Sequence, residues 1–289
     1  MNSCSSGAVD TDERSRSGNA PFLHQQNIIR EPELLMAMIT PSRLGRAVKW
    51  FITGNPAQRR RVRQELARVA AAAFGDFPIS DDYKLWREDK QFLDDFNRMS
   101  PGNPYSQDRK WTLREYVKLS NALPGDLAEC GCYVGTSAFF TAQASTHGKL
   151  YLFDSFEGLS DPDATDKDID ADVMPWTAGD LCTSEAVLRN NLAPYGDSIV
   201  VLPGWIPDRF HEVANRQFRV VHIDVDLYQP TRDSLEFFYP RLVKGGVIVM
   251  DDYGFKTCPG ATRAAEELAA TQGISILHLA TGQGVITKV

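Results

Sequence analysis

The sequence predicts an open, doubly wound α/β sheet with an antiparallel C-terminal strand and a helical N-terminal extension. Three observations predict it. From residue 127 to near Glu267, short apolar runs alternate with helical patterns, the rhythm of a largely parallel sheet wrapped by helices. Two of the runs, 218–223 and 246–250, are apolar almost throughout, as a strand buried on both faces requires. Each of these ends in acids, Asp224-Val225-Asp226 and Asp251-Asp252, and carboxylates at such strand ends stand at the mouth of the sheet, where ligands bind.

Residues 1–30 are polar and rich in Ser, Asn, Asp and Arg, the composition of a disordered tail. Residues 31–108 read as a helical region that either caps a site, joins protomers or forms a layer on the domain. Within it, 57–74 has an Arg-rich and an Ala-rich face, and 84–99 sets Trp86, Phe92 and Phe96 at helical spacing. The sheet domain is expected over 109–289. It opens with a helix over 112–121 and a turn at Pro124-Gly125-Asp126. Strands are expected at 127–130, 149–153, 198–202, 218–223 and 246–250, with helices at 137–145, 184–191, 231–239 and 260–271. Segments 274–279 and 284–287 close the chain as an antiparallel pair. The acidic segment 160–179 is too long for an ordinary connection and reads as a lid or a flexible insert. Its run Asp161, Asp163, Asp166, Asp168, Asp170 and Asp172 lacks the central Gly and terminal Glu of a calcium loop, which favours a solvated lid.

Bulk properties narrow the function classes. Hydrophobic residues make up 43% of the 289, enough for a sizeable core. A net charge of -7 argues against nucleic acid as the default partner. The first thirty residues contain no apolar segment of a secretory signal, and no run is long enough to span a bilayer: 34–53 comes nearest, but Pro41, Arg43, Arg46 and Lys49 interrupt it. The five cysteines are odd in number and lack disulfide spacing, which fits a reducing cytosol. Cys130-x-Cys132 lacks the two-residue spacer of zinc and thioredoxin motifs, so both are expected as small buried residues.

The chemistry gathers at the strand ends. The first strand runs into Glu129-Cys130-Gly131-Cys132-Tyr133-Val134-Gly135, whose glycines permit a tight turn and close approach of a ligand. No P-loop lysine follows, so phosphate binding is poorly supported. Glu129 can accept from a ligand ammonium, or serve only as a cap or ion-pair partner. The second strand ends at Asp154, positioned either to hold ribose hydroxyls or to cap a turn. One βαβ unit separates Glu129 from Asp154, which fits a nucleoside lying across adjacent strand ends. Acids gathered as Asp224, Asp226, Asp251 and Asp252 repel one another unless protons or a cation neutralise them, and a hard divalent ion with oxygen ligands answers that need.

Together, the Glu129-Cys130-Gly131 loop, Phe153-Asp154-Ser155-Phe156-Glu157-Gly158, His222-Ile223-Asp224-Val225-Asp226-Leu227-Tyr228 and Asp251-Asp252-Tyr253-Gly254 resemble the macrocin-type sugar O-methyltransferases, class I enzymes that use S-adenosylmethionine and magnesium. The resemblance spans residues 109 to 267. Tyr133-Val134 stands where that family often has Trp-Arg or Tyr-Lys, which removes a cation. The resemblance implies that Glu129, Gly131, Tyr133 and Ser137 border the methionine part of the cofactor and that Asp154 and Ser155 hold its ribose. It also implies that Trp205, after Gly204, lies near the cofactor, with core packing as the alternative. Asp224, Asp251 and Asp252 would hold Mg2+ or Mn2+, with Asp224 also the catalytic base.

Leu227 stands where catechol methyltransferases carry a lysine. Asp226 is either an alternative base, an orienting group or a helix cap before Pro230. His222 is expected as a satisfied core histidine or an orienting one, and Tyr228, Tyr253 and His278 as candidates for an acceptor pocket. The implied acceptor is a small-molecule sugar hydroxyl, and the implied state is a cytoplasmic homo-oligomer. Three other readings stay open: a phenol or catechol acceptor, a non-catalytic nucleoside-binding module, and a metal-dependent hydroxylase or hydrolase. The last is weakened by the missing facial triad.

Overall fold

The computed structural model describes residues 41–55, 58–59, 61–63, 66, 84–101, 106–167 and 176–289. The chain divides into two compact units, Met1–Tyr83 and Lys84–Val289. The first unit contains helix α1, Pro41–Thr53. Of the helix expected over 57–74, residues 58–59, 61–63 and 66 are described and are helical. The expected tail, 1–30, lies outside the described residues.

The second unit opens with α2, Lys90–Met99, and α3, Gln107–Ser120. Helix α2 starts later than the aromatic spacing suggests, because Asp89 accepts the Phe92 amide at 2.9 Å and caps it there. Residues Leu85–Arg87 ahead of it form a separate 3-10 turn. Helix α3 starts five residues before its expected beginning. Its first turn is polar, yet Lys110 is buried on the same face as Leu113 and Val117, at i, i+3 and i+7.

Strands β1 (Asp126–Cys130), β2 (Leu150–Asp154), β3 (Ile199–Pro203), β4 (Phe218–Ile223) and β5 (Leu242–Met250) follow. Between or after them lie α4 (Thr136–Ala144), α5 (Glu185–Leu192), α6 (Tyr228–Phe238) and α7 (Pro259–Gln272). The chain ends in β6 (Leu277–His278) and β7 (Gly284–Thr287). Most boundaries fall within one or two residues of expectation; β6 is shorter, starting at Leu277 rather than 274, and two others differ more. Helix α6 begins at Tyr228 because Pro230 sits in its first turn, where the missing N–H costs no hydrogen bond. Strand β5 begins at Leu242, which pairs with Phe218 before the register slips and Val220 pairs with Val247. The slip absorbs Gly245, whose φ is +82°.

The sheet order is β3-β2-β1-β4-β5-β7-β6. Strands β1 to β5 are parallel and β7 is antiparallel to both β5 and β6. This is the expected doubly wound, Rossmann-like sheet with an antiparallel C-terminal end. One face packs Ala128, Cys130, Val221 and Ile223 against Leu235, Phe238 and Ala265 of α6 and α7. The other packs Leu127, Val220 and Val249 against Phe92, Phe96, Leu113 and Phe140. Burial on both faces explains why β4 reads as a mostly apolar run, interrupted only by Arg219 and His222. The strand order reverses between β1 and β4, so a crevice opens at their carboxyl ends. No helix among the described residues is long and apolar enough to cross a membrane.

Candidate active site

A cavity of about 630 Å³ occupies that crevice, a size suited to small molecules. Its wall joins the glycine loop after β1, the end of β2, the turn after β3 and the acids after β4 and β5. The loop is tight because Gly131, at φ +79°, lies directly on the Asp224 carbonyl. Asp224 N returns a hydrogen bond to Cys130 O at 2.9 Å. The two halves of the site therefore share a backbone contact at the reversal point.

On the first half, Asp154 organises the loop. Its Oδ2 accepts from the amides of Cys132 (2.7 Å) and Tyr133 (2.9 Å), and its Oδ1 from Phe156 (2.7 Å). About one of the four acceptor positions of a carboxylate is left. Ser155 supports the same turn, accepting from Glu157 N and donating to Gly158 O. Gly131, Tyr133, Ser137, Asp154, Ser155 and Trp205 all line the cavity. Trp205 is 39% exposed, so core packing is not its role. Glu129 does not itself line the cavity. It is fully buried, its Oε1 takes the Ser137 hydroxyl, and its Oε2 has no hydrogen-bond partner. Cys130 and Cys132 are buried small residues as expected, and burial pushes the Cys130 thiol up to about 12.

On the second half, strand alternation sets a polar row at one level of the sheet. Glu129 of β1 pairs laterally with His222 of β4, and Asp251 and Gln283 continue the row beyond Val249 and Val285. His222 is fully buried, with Nδ1 3.3 Å from Glu129 and Nε2 3.4 Å from Asp251. The first of these is an ion-pair distance without hydrogen-bond geometry. Burial alone would lower this imidazole, but the two carboxylates win and raise it to about 9. Gln283 Nε2 donates to Asp251 Oδ1 at 2.8 Å.

Two cations meet these acids from α3. Arg109 pairs with Asp251, and Lys110 Nζ lies 3.1 Å from Asp224 Oδ2 and 3.3 Å from Asp251 Oδ2. Burial would raise Asp251, but Lys110, His222 and Arg109 hold it well below the carboxylate range. Burial opposes the Lys110 charge too, and is overcome by Asp224 and Asp251. Leu227, which stands where catechol methyltransferases carry a lysine, is buried, yet a lysine reaches Asp224 from a different element.

Asp251 and Asp252 point to different neighbours. The ligand atoms of His222, Asp224 and Asp251 lie within 4.8 Å of one another, and those of Asp226, Asp252 and Cys258 form a second such group. Asp252 Oδ2 accepts from Asp226 N at 3.0 Å. Asp226, at φ +59°, is not a helix cap: Leu227 stands at that position, and Asp166 Oδ1 accepts the Tyr228 amide at 2.7 Å. Burial first, then Asp224, raises the Asp226 carboxyl to about 7. Burial and the neighbouring Asp226, Asp224 and Asp251 push Asp252 well up. These are acids crowded without enough positive charge, which suits a divalent cation.

Sequence reading missed Arg109, Lys110, Gln283 and Cys258. Lys110 at i, i+3, i+7 with Leu113 and Val117 was the available signal. Asp166 departs from a solvated lid because it is buried on the start of α6, while 168–175 lie outside the described residues. Tyr228, Tyr253 and His278 do not line the cavity. The Tyr228 hydroxyl bonds Glu267, and Tyr253 packs edge-on against His278.

Residues 108–277 match the family model described as macrocin-O-methyltransferase (TylF). The chain is 33% identical over 152 residues to the 8-demethyl-8-(2,3-dimethoxy-alpha-L-rhamnosyl)-tetracenomycin-C 4'-O-methyltransferase of Streptomyces olivaceus, covering 50% of this chain and 58% of that protein. It is 33% identical over 170 residues to the mycinamicin III 3''-O-methyltransferase of Micromonospora griseorubida, covering 54% and 65%. The matches thus span less than two thirds of the length of these relatives. Among solved structures, the O-methyltransferase NovP superposes with a TM-score of 0.53 at 26% identity, covering 65% of this chain and 84% of that one. A calicheamicin methyltransferase superposes with a TM-score of 0.56 at 15% identity, covering 95% and 99%, a likeness of fold.

Proposed function

Because this chain belongs to the macrocin O-methyltransferase family, we propose that it transfers a methyl group from S-adenosylmethionine to a hydroxyl of a sugar carried by a small-molecule natural product. One observation carries the reading: a single cavity joins a nucleoside-type loop to a carboxylate cluster across the β1/β4 reversal. The names of the two curated relatives, methyltransferases of glycosylated natural products, favour a sugar over a phenol. The free cysteines Cys130, Cys132, Cys182 and Cys258 suit a cytosolic enzyme.

Gly131, Tyr133 and Ser137 would border the methionine end of the cofactor, with Glu129 steadying Ser137 from below. Asp154 would present its remaining acceptor position to the ribose, already aimed by three backbone amides, and Ser155 would hold that turn. Trp205 offers an open indole on the cavity wall. The fit is supported by the cavity size and by the Gly131 turn that sets the loop against Asp224 at the cavity wall.

Asp224, Asp251 and Asp252 are proposed ligands of Mg2+ or Mn2+, and an all-carboxylate set suits either ion; Asp224 and Asp251 already lie together, whereas Asp252, which accepts from Asp226 N, would have to turn to join them. A bound divalent ion supplies a lowered pKa to the acceptor hydroxyl. Asp224 is a quarter exposed to the cavity and would take the proton of the acceptor hydroxyl. S-adenosylmethionine, when bound, would supply the methyl group, an O–CH3 bond replacing its S–CH3 bond as S-adenosylhomocysteine leaves. Asp226, buried behind it, orients Asp252 through its amide.

Calorimetric titration with S-adenosylhomocysteine tests the cofactor: one-to-one binding is expected, and none from folded protein refutes methyl transfer. Asp224→Asn should lower kcat by roughly 10²–10⁴ and Asp226→Asn by less. An Asp224→Asn loss no larger than that of Asp226→Asn would remove Asp224 as base.

A further inference from the structure

The row of acids already contains a cation of its own. Lys110 Nζ is 3.1 Å from Asp224 Oδ2 and 3.3 Å from Asp251 Oδ2, and its side chain is 9% exposed. Among the described residues it is the one cation paired with both carboxylates. Asp251 is saturated: Oδ1 accepts from Gln283 and His222, and Oδ2 takes Arg109 and Lys110. Those four donors match the about four lone-pair positions of a carboxylate.

A divalent ion shared by Asp224 and Asp251 needs an acceptor position on Asp251, where all are taken, and it would lie beside the ammonium that bridges the two Oδ2 atoms; left in place, that ammonium would repel it from a few ångströms away. The saturated Asp251 has nothing else to offer. Of the two cations that α3 brings to Asp251, Lys110 is the more flexible, a point charge on a four-carbon stem, and it borders the cavity. Arg109 is held further, by its guanidinium stacked 4.8 Å over Phe255.

We propose that Lys110 is the built-in counter-ion of the Asp224–Asp251 pair, and that a divalent cation binds there only by displacing its ammonium. Lys110 is thus a positioning residue: without metal it keeps two carboxylates together at the reversal point, and it sets how tightly the metal is held. The inference rests on the reading that Asp224 and Asp251 are metal ligands.

The test is Mn2+ binding to the full chain, read from the electron paramagnetic resonance signal of the free ion, with no acceptor or turnover involved. Lys110→Met should bind Mn2+ at least about tenfold more tightly than wild type, because one neighbouring positive charge is removed. Lys110→Arg, which keeps the charge, should stay as weak as wild type. Adding Asp224→Asn to Lys110→Met should abolish the gain. If Lys110→Met is unstable alone, its Tm should rise more with added Mn2+ than that of wild type. Equal, Asp224-dependent binding by wild type and Lys110→Met overturns the displacement and leaves the metal reading intact. No Mn2+ bound by either protein overturns both.

Discussion

Replacing Gly131 with alanine probes the point where the two halves of the site touch. The φ of +79° alone costs an L-residue about 1–2 kcal/mol. The added methyl would fall within contact of the Asp224 carbonyl oxygen, 2.8 Å from its carbonyl carbon and 3.0 Å from Val225 Cγ1. Carbon atoms rest about 3.5 Å or more apart, so backbone rather than a flexible side chain has to give way. The strand-end hydrogen bonds from Asp224 N to Cys130 O and from Gly131 N to Phe153 O, both 2.9 Å, resist that movement. A total loss of roughly 2–4 kcal/mol is expected. In urea unfolding followed by circular dichroism, the midpoint should fall by roughly 1 M. S-adenosylhomocysteine binding and Mn2+ binding should weaken together, since one movement displaces both the loop and Asp224. An unchanged midpoint, or a loss confined to one ligand, would refute the claim that the two halves share this contact.

Other outcomes follow from the same geometry. The Asp226 carboxyl sits at about 7, above its ordinary 3.8, by burial first and Asp224 next. Its stabilisation is therefore full below about 4 and lost as pH rises through 7. Metal-free protein should show a Tm that falls across this window, and Asp226→Asn should flatten the slope. His222→Leu strips a buried cation from Glu129 and Asp251. It should lower stability by about 3–5 kcal/mol in denaturant titration, and a neutral result would mean that the imidazole is not charged. Trp205→Ala should weaken S-adenosylhomocysteine binding in calorimetry while leaving Tm nearly unchanged, because the indole borders the cavity and is 39% exposed.

The sequence by itself determined the sheet and one side of the site. Strands buried on both faces leave near-continuous apolar runs, so β4 was legible to the residue despite Arg219 and His222, and acids or glycines at the strand ends announced where the crevice opens. Local pattern also carried the turn at Gly125 and the antiparallel close of the chain. Only the tertiary structure decided what each acid does. Asp251 and Asp252 are neighbours in sequence, yet successive residues leave a strand toward opposite faces. One therefore meets Lys110, Arg109, His222 and Gln283, and the other meets Asp226 and Cys258. Lys110 lies 114 positions from Asp224, and no local pattern encodes so distant a pairing. It arises because α3 lays its buried face across the sheet at the level where the polar row ends. The same limit explains Asp166: its acidic surroundings read as solvated, and only the fold brings the start of α6 to meet it.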